Sequence, residues 1–268
     1  MPVGENTIFP SQWFAIWVPP VYAPRRSAMA SFLSILLAAA LVAVPQIAGA
    51  GNSTANFLAE LAAGHRQKVV VYGTSLTANA AWPAEFEETL RSAYGPRLFV
   101  SNAAGGGKDS RWGVAHLDQR VLRQRPDTVF IEFGTNDALE ASKLSVGESM
   151  ANLEWMIARI REERQFCDIV IMIMNPPTGD ALAVRPRIKE YEQGYRRVAE
   201  WNHCRLIDFS ATWRTIIQRS PDRWRTYAPD GLHPNALACR EVILPKLLEK
   251  SGFYAQHPAT LAPDHDNL

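Results

Sequence analysis

The feature that most constrains the fold is an alternation, from residue 53 onward, of short apolar runs with longer segments of helical period. The apolar runs are nearly continuous, which is typical of strands that are buried on both faces of a parallel sheet. We predict strands at 68–72, 98–101, 128–133, 168–174 and 205–209, and helices at 55–63, 82–94, 113–125, 146–165, 185–202 and 235–251. The chain is therefore predicted to be an α/β protein with helices on both faces of the sheet.

Composition and charge narrow the class of ligand. Of the 268 residues, 47% are hydrophobic and 21% are charged, which is ordinary globular composition. The 28 Lys and Arg residues nearly balance the 27 Asp and Glu residues, and the formal net charge is +1. The overall charge therefore does not favour a polyanionic ligand such as nucleic acid. A small neutral or mixed substrate fits better.

The N-terminal region has the pattern of a secretory signal. Arg25 and Arg26 precede an apolar stretch at 29–44, and the small residues Ala48 and Ala50 follow it with A-x-A spacing. We predict a lead and cleavable signal peptide over residues 1–50, hence export to the periplasm or the extracellular space, and a tail at 256–268. An uncleaved membrane anchor is the alternative, although the stretch is short for a bilayer span.

Three cysteines are too few for a disulfide-built scaffold. Cys167 and Cys204 each precede an apolar run, so they would meet if the two runs are adjacent strands. Two reduced, buried thiols are an equally good interpretation. Cys239 lies in an apolar helical pattern, and no His and Cys cluster has zinc spacing.

Polar residues follow the first three predicted strands, where ligands of open α/β sheets bind. Ser75 lies on a tight turn after Gly73, a glycine-rich run occupies 102–110, and Asn136 follows the third strand. A serine at such a turn can be a nucleophile, and an Asn amide can donate to an oxyanion, although helix caps and Asx-turns also use these residues. The run at 102–110 lacks the spacing of phosphate-binding loops.

A more specific pair stands near the C-terminus. Asp230 precedes His233 by three residues, directly before the last predicted helix. In a turn of this length the carboxylate reaches the imidazole and fixes its tautomer, so that the other ring nitrogen can act as a base.

The order of these elements, a serine, a glycine loop, an asparagine and Asp-x-x-His, resembles the SGNH hydrolase family, also called GDSL esterases and lipases, over about residues 67–250. The resemblance implies a single-domain three-layer α/β/α fold over residues 51–255, with a flavodoxin-like five-stranded parallel sheet. It also implies that Ser75 is the nucleophile, His233 the general base and Asp230 the residue that orients His233. The oxyanion hole would comprise the backbone N–H groups of Ser75 and Gly107 and the side chain of Asn136.

Gly107 is chosen because the second motif of the family has an Asn, a Gly five residues on and a Ser three further, which matches Asn102, Gly107 and Ser110; Gly106 is a close second. The chain departs from the family at Thr74, which stands where an Asp is usual. We expect Thr74, Lys108 and Trp112 to contact substrate.

The resulting prediction is acyl transfer by a serine, without a metal or an organic cofactor. The preferred substrate is a short-chain or acetyl ester of a carbohydrate or small molecule. The alternatives are a lipase or lysophospholipase acting on longer acyl chains, and an inactive glycan-binding domain. The sequence assigns no oligomeric state, and membrane contact is expected only through an uncleaved anchor.

Overall fold

A computed structural model describes residues 57–257, and the predicted signal peptide lies outside these residues, as does the tail beyond His257. Five parallel strands form one sheet in the order β2-β1-β3-β4-β5. They are β1 (Gln67–Gly73), β2 (Leu98–Asn102), β3 (Thr128–Glu132), β4 (Asp168–Ile173) and β5 (Arg205–Asp208). This confirms the predicted parallel sheet, and every strand overlaps its predicted range.

Thirteen α-helical segments are described within residues 57–257. They are α1 (Phe57–Ala62), α2 (Ser75–Ala78), α3 (Trp82–Tyr94), α4 (Ser110–Arg120), α5 (Gly134–Asp137), α6 (Val146–Glu163), α7 (Gly179–Ala183), α8 (Ile188–Trp201), α9 (Ser210–Arg219), α10 (Pro221–Tyr227), α11 (Ala236–Ala238), α12 (Leu244–Ser251) and α13 (Phe253–Gln256). None of the helices in the described part of the chain is long and apolar enough to cross a bilayer.

The strands bury alternate side chains on opposite faces of the sheet, as their period of two requires. One core contains Val69 and Val71 of β1 with residues of α1, α3, α9, α10 and α12. The other contains Val70 and Tyr72 of the same strand with residues of α4, α6 and α8. The sheet is thus the middle layer of a three-layer α/β/α fold, as predicted.

Among the helices that differ from their predicted bounds, two do so for clear local reasons. Helix α4 begins at Ser110 rather than at 113, because the Asp109 side chain accepts a hydrogen bond from the Trp112 N–H and caps the helix. The helix predicted at 235–251 is divided by a π-helical stretch at Cys239–Ile243. Pro245 follows this stretch in the first turn of α12, and a proline cannot supply the backbone N–H that a continuous α-helix needs.

Helices α9 and α10 were not predicted. They contribute Trp213 and Trp224 to the first core, and their rings pack edge to face with centroids 5.5 Å apart. Cys167 and Cys204 are free thiols, and burial raises their pKa values to about 12 and about 11. The predicted tail boundary falls inside α13, where the Tyr94 hydroxyl donates to Gln256 Oε1 at 2.7 Å.

The strand order determines where a ligand-binding site is expected. Strand β1 lies between β2 and β3, so the chain leaves the carboxyl ends of β1 and β3 towards opposite faces of the sheet. Such a switch point opens a crevice in which α/β proteins bind ligands. The segments after β1, β2 and β3, which carry Ser75, Gly107 and Asn136, all start at this edge.

Candidate active site

Ser75 lies on a sharp turn between β1 and the short helix α2. Strand β1 ends at Gly73, and Thr74 caps α2 by accepting a hydrogen bond from the Leu76 N–H at 3.2 Å. Ser75 is the first residue of that helix and is half-buried. The turn therefore holds its hydroxyl at the carboxyl edge of the sheet.

Ser75, His233 and Asp230 form one hydrogen-bonded line. Ser75 Oγ lies 2.8 Å from His233 Nε2, and His233 Nδ1 lies 2.5 Å from Asp230 Oδ2. Asp230 Oδ1 also accepts from the backbone N–H groups of His233 and Leu232, at 2.8 and 2.9 Å. Burial alone would raise the pKa of Asp230, but the hydrogen bonds from His233 and Leu232 outweigh it and hold this pKa below its usual value.

The loop that carries Asp230 and His233 is held by neighbouring segments. The Asn175 amide, two residues after β4, donates to the Leu232 carbonyl at 2.7 Å. Gly231 has a φ of +73°, and a Cβ there would lie 2.7 Å from the Thr178 carbonyl oxygen. A glycine is therefore required for both the turn and the close packing of this loop.

The three predicted oxyanion donors, Ser75, Gly107 and Asn136, lie in the segments that follow β1, β2 and β3. The glycine-rich loop makes a turn in which the Lys108 N–H donates to the Gly105 carbonyl, and Gly107 adopts a φ of +68°. Asn136 Nδ2 donates to the Lys108 carbonyl at 3.0 Å, which joins this loop to α5. The Ser75 and Gly107 N–H groups donate to no residue within 57–257, and they remain available to a ligand.

The buried side chain of Asp137 stabilises the same region by hydrogen bonds. Its buried carboxyl accepts from the Ser110 N–H at 2.7 Å and from the Ser149 hydroxyl at 2.5 Å. It thereby ties α5 to the start of α4 and to α6. Burial raises the pKa of Asp137 to about 6, although these hydrogen bonds act in the opposite direction.

Glu132, the last residue of β3, lies beneath the serine turn and was missed by the sequence analysis. It is 2% exposed and accepts from the Thr74 N–H at 2.7 Å, the Thr74 hydroxyl at 3.0 Å and the Thr77 hydroxyl at 2.7 Å. Burial raises the pKa of Glu132 to about 7, against the effect of these donors. The signal that could have found it was an acid at the end of an otherwise apolar strand.

The three residues expected to contact substrate are placed differently from one another. Thr74 is fully buried and bonds to Glu132, so it supports the turn from below and is not accessible to a ligand. Lys108 is exposed on the glycine-rich loop. Trp112 is partly buried and stacks on His116 with ring centroids 4.7 Å apart, which gives it a packing role behind that loop.

A small open pocket adjoins Ser75 and His233. Its volume is about 160 Å³, and its remaining lining comes from Leu76, Asn79, Ala80 and Pro234. Within residues 57–257, no group of three or more His, Cys, Asp or Glu side chains could hold a metal ion.

A serine, a histidine and an aspartate thus lie in one hydrogen-bonded line at the carboxyl edge of a parallel sheet, an arrangement that serine hydrolases use. The GDSL-like lipase/acylhydrolase family matches residues 60–240, and the chain belongs to this family. It is a carboxylic ester hydrolase of the GDSL/SGNH type.

Individual relatives are distant. An arylesterase of Vibrio mimicus is 26% identical over 174 residues, which cover 63% of this chain and 80% of that protein. An α/β hydrolase enzyme from the metagenome of Lake Arreo, Spain, superposes with a TM-score of 0.61 at 22% identity, over 70% of this chain and 96% of that one. An acetylxylan esterase of Geobacillus stearothermophilus gives 0.60 at 20% identity, over 70% and 95% of the two chains. At these identities the solved structures support the fold.

Proposed function

We propose that the protein hydrolyses short-chain esters through a Ser75-His233-Asp230 triad. The observation that carries this proposal is the unbroken line of hydrogen bonds from Ser75 Oγ through the His233 ring to Asp230. The Geobacillus esterase supports it, because its catalytic mutants replace a serine, an aspartate and a histidine, the last two with the Asp-x-x-His spacing of Asp230 and His233.

The proposed reaction proceeds in two steps. Ser75 Oγ attacks the ester carbonyl while His233 Nε2 accepts its proton, and His233 then passes the proton to the leaving alcohol. Water hydrolyses the acyl-enzyme with His233 again acting as the base. Asp230 keeps the Nδ1 proton of the ring in place, so that Nε2 faces the serine.

Negative charge develops on the carbonyl oxygen in each step. The backbone N–H groups of Ser75 and Gly107 and the Asn136 amide are the proposed donors to this oxyanion. One N–H of the Asn136 amide is bonded to the Lys108 carbonyl, and the second is left for the oxyanion. The donors are held before substrate binds, so little reorganisation is needed during the reaction.

The proposed substrates carry short acyl groups, with acetylated carbohydrates or small alcohols as the preferred class. A pocket of about 160 Å³, bounded by Leu76 and Pro234, favours an acetyl or butyryl group over a long chain. The acetylxylan esterase that shares this fold provides a precedent for a sugar ester. We also propose that the protein is exported by the signal at residues 1–50, which puts it in contact with such polymers.

Hydrolysis of p-nitrophenyl acetate, butyrate and octanoate by the purified protein tests this function, with Ser75→Ala as the control. We expect kcat/KM to fall steeply with acyl length and to vanish in the variant. Activity that instead rises towards octanoate would favour the lipase alternative. Hydrolysis that persists in Ser75→Ala would rule out the proposed nucleophile, and its absence in both proteins would favour a glycan-binding role.

The export proposal has its own test. Expression of the full chain with its N-terminus intact, followed by fractionation and N-terminal sequencing, should recover an exported protein that starts at Gly51. Recovery of the uncleaved chain in the membrane fraction would instead support an anchor.

A further inference from the structure

Arg185, in the segment between α7 and α8, is a buried cation with no acidic partner. Its residue exposure is 7%, and it takes part in no ion pair with an Asp or Glu of residues 57–257. Burial lowers its pKa below the ordinary value, and no acid offsets this effect. Buried charges are normally paired, because burying an unpaired charge costs free energy. An unpaired buried charge such as that of Arg185 therefore points to a functional role.

All of its hydrogen bonds go to neutral oxygens, and two of the three lie on α5, which carries Asn136. Nε donates to the Thr135 carbonyl at 2.9 Å and Nη1 donates to the Ala181 carbonyl at 3.0 Å. Nη2 lies 3.4 Å from Asn136 Oδ1. The planar guanidinium therefore holds both the backbone of α5 and the side chain that this helix contributes to the site.

The contact with Oδ1 and the Lys108 carbonyl together select which way the Asn136 amide points. An amide has a donating and an accepting end of nearly equal size, and only its environment selects between the two orientations. Arg185 can only donate, so it selects the orientation with Oδ1 towards itself and Nδ2 towards the Lys108 carbonyl and the site. Without this donor, only the Lys108 carbonyl would select this orientation, and an amide that reversed would present an oxygen to the developing oxyanion, which is repulsive.

We propose that Arg185 is a positioning residue for the hydrolysis reaction, which it serves by fixing the Asn136 amide with its N–H groups towards the oxyanion. This inference rests on the proposed function. Arg185 itself does not touch the reacting atoms. Its effect should therefore appear in kcat, with little change in KM, and should depend on Asn136 being present.

The test is a double-mutant cycle on p-nitrophenyl acetate with Arg185→Met, Asn136→Ala and the double variant. Arg187→Met is the matched control, because Arg187 is exposed, pairs with Glu190 and is two residues away. We expect Arg185→Met to lower kcat about tenfold or more, since loss of an oxyanion donor costs about 10² to 10³. In the Asn136→Ala background the same substitution should have less than about a twofold effect, and Arg187→Met should match the wild type.

Two results would overturn the inference while leaving the proposed function intact: a folded Arg185→Met variant with unchanged kcat, or losses that multiply in the double variant. Thermal denaturation checks folding. If Arg185→Met does not fold, Arg185→Lys takes its place in the same cycle with the same expected coupling, because a lysine keeps the charge but cannot reach all three oxygens. Absence of Ser75-dependent hydrolysis in the wild type would overturn both proposals together.

Discussion

Gly106 and Gly107 are adjacent in the glycine-rich loop but differ in what their backbones require. Gly107 has a φ of +68°, a conformation that residues with a Cβ adopt at a cost, and a Cβ there would meet nothing within 4 Å. Gly106 lies outside that region, with the Asn79 side chain 3.6 Å from the place of its Cβ. Any loss of activity when Gly107 is replaced by alanine would therefore come from backbone strain rather than from a steric clash.

This difference gives a prediction at the residue scale. Gly107→Ala should shift the N–H of the turn and lower kcat for p-nitrophenyl acetate by about tenfold, because oxyanion donors act only when they are well placed. Gly106→Ala should stay within about twofold of the wild type. Equal losses in the two variants would argue against Gly107 as the particular donor.

Asn136 gives a second residue-scale prediction. Asn136→Ala removes one proposed oxyanion donor and should lower kcat by about 10² to 10³, whereas Ser75→Ala and His233→Ala should lower it further, because they remove the proposed nucleophile and base. Steady-state kinetics with one ester substrate would measure all three. Similar residual activity in the three variants would contradict the assigned roles.

The turn from β1 to α2 shows how one element depends on another. Thr74 stands where the family usually has an Asp, and the carboxylate at this turn is supplied instead by Glu132 of the neighbouring strand β3. A Cβ on Gly73 would lie 2.3 Å from a Glu132 carboxylate oxygen. A glycine at the end of β1 therefore leaves the space that the Glu132 side chain needs to reach the turn. The serine turn is therefore anchored by tertiary hydrogen bonds to β3.

The prediction at the element scale concerns the Thr74 hydroxyl, which donates to Glu132 and caps α2. Thr74→Val keeps the shape but removes both bonds, and should destabilise the fold by about 1 to 3 kcal/mol and lower kcat. Thr74→Ser keeps the hydroxyl and should retain most of both properties. Urea denaturation and ester kinetics would measure the two effects. Wild-type stability in Thr74→Val would show that the hydroxyl contributes nothing.

At the scale of the whole molecule, two buried carboxyls link stability to pH. Burial raises the pKa of Glu132 from 4.5 to about 7 and that of Asp137 from 3.8 to about 6. Between the lower and upper values the folded protein binds more protons than the unfolded chain, so stability falls as the pH rises through these windows. Carboxyls with a lowered pKa, such as Asp230, contribute near and below their ordinary values of 3.8 for Asp and 4.5 for Glu, and so act mainly below pH 5.

We therefore expect the free energy of unfolding to decrease from about pH 5 to pH 7, by up to about 1.4 kcal/mol per pH unit for each group, and to level off above that. Glu132→Gln should remove the part of this slope between pH 6 and 7, whereas Glu88→Gln, on the exposed side of α3, should keep it. Urea denaturation at several pH values measures these slopes. A stability that rises with pH over this range would contradict the raised pKa values.

Several features followed from the sequence alone, because they depend on local patterns. Continuous apolar runs predicted all five strands, since a strand buried on both faces needs an apolar residue at nearly every position. The order of Ser75, the glycine-rich loop and Asn136 predicted which loops would meet, because parallel strands end at one edge. Helices α9 and α10 were not predicted, because the apolar role of their tryptophans becomes clear only when these side chains pack in the core.

The tertiary structure decided what depends on burial and orientation. Thr74, expected at the substrate, lies beneath the turn, because the strand register brings Glu132 opposite Gly73. The unpaired Arg185 beside Asn136 joins residues 49 positions apart, which no local pattern specifies. A sequence names the groups that a site can contain, whereas their pKa values, free N–H donors and amide orientation arise only when folding removes them from water and fixes their neighbours.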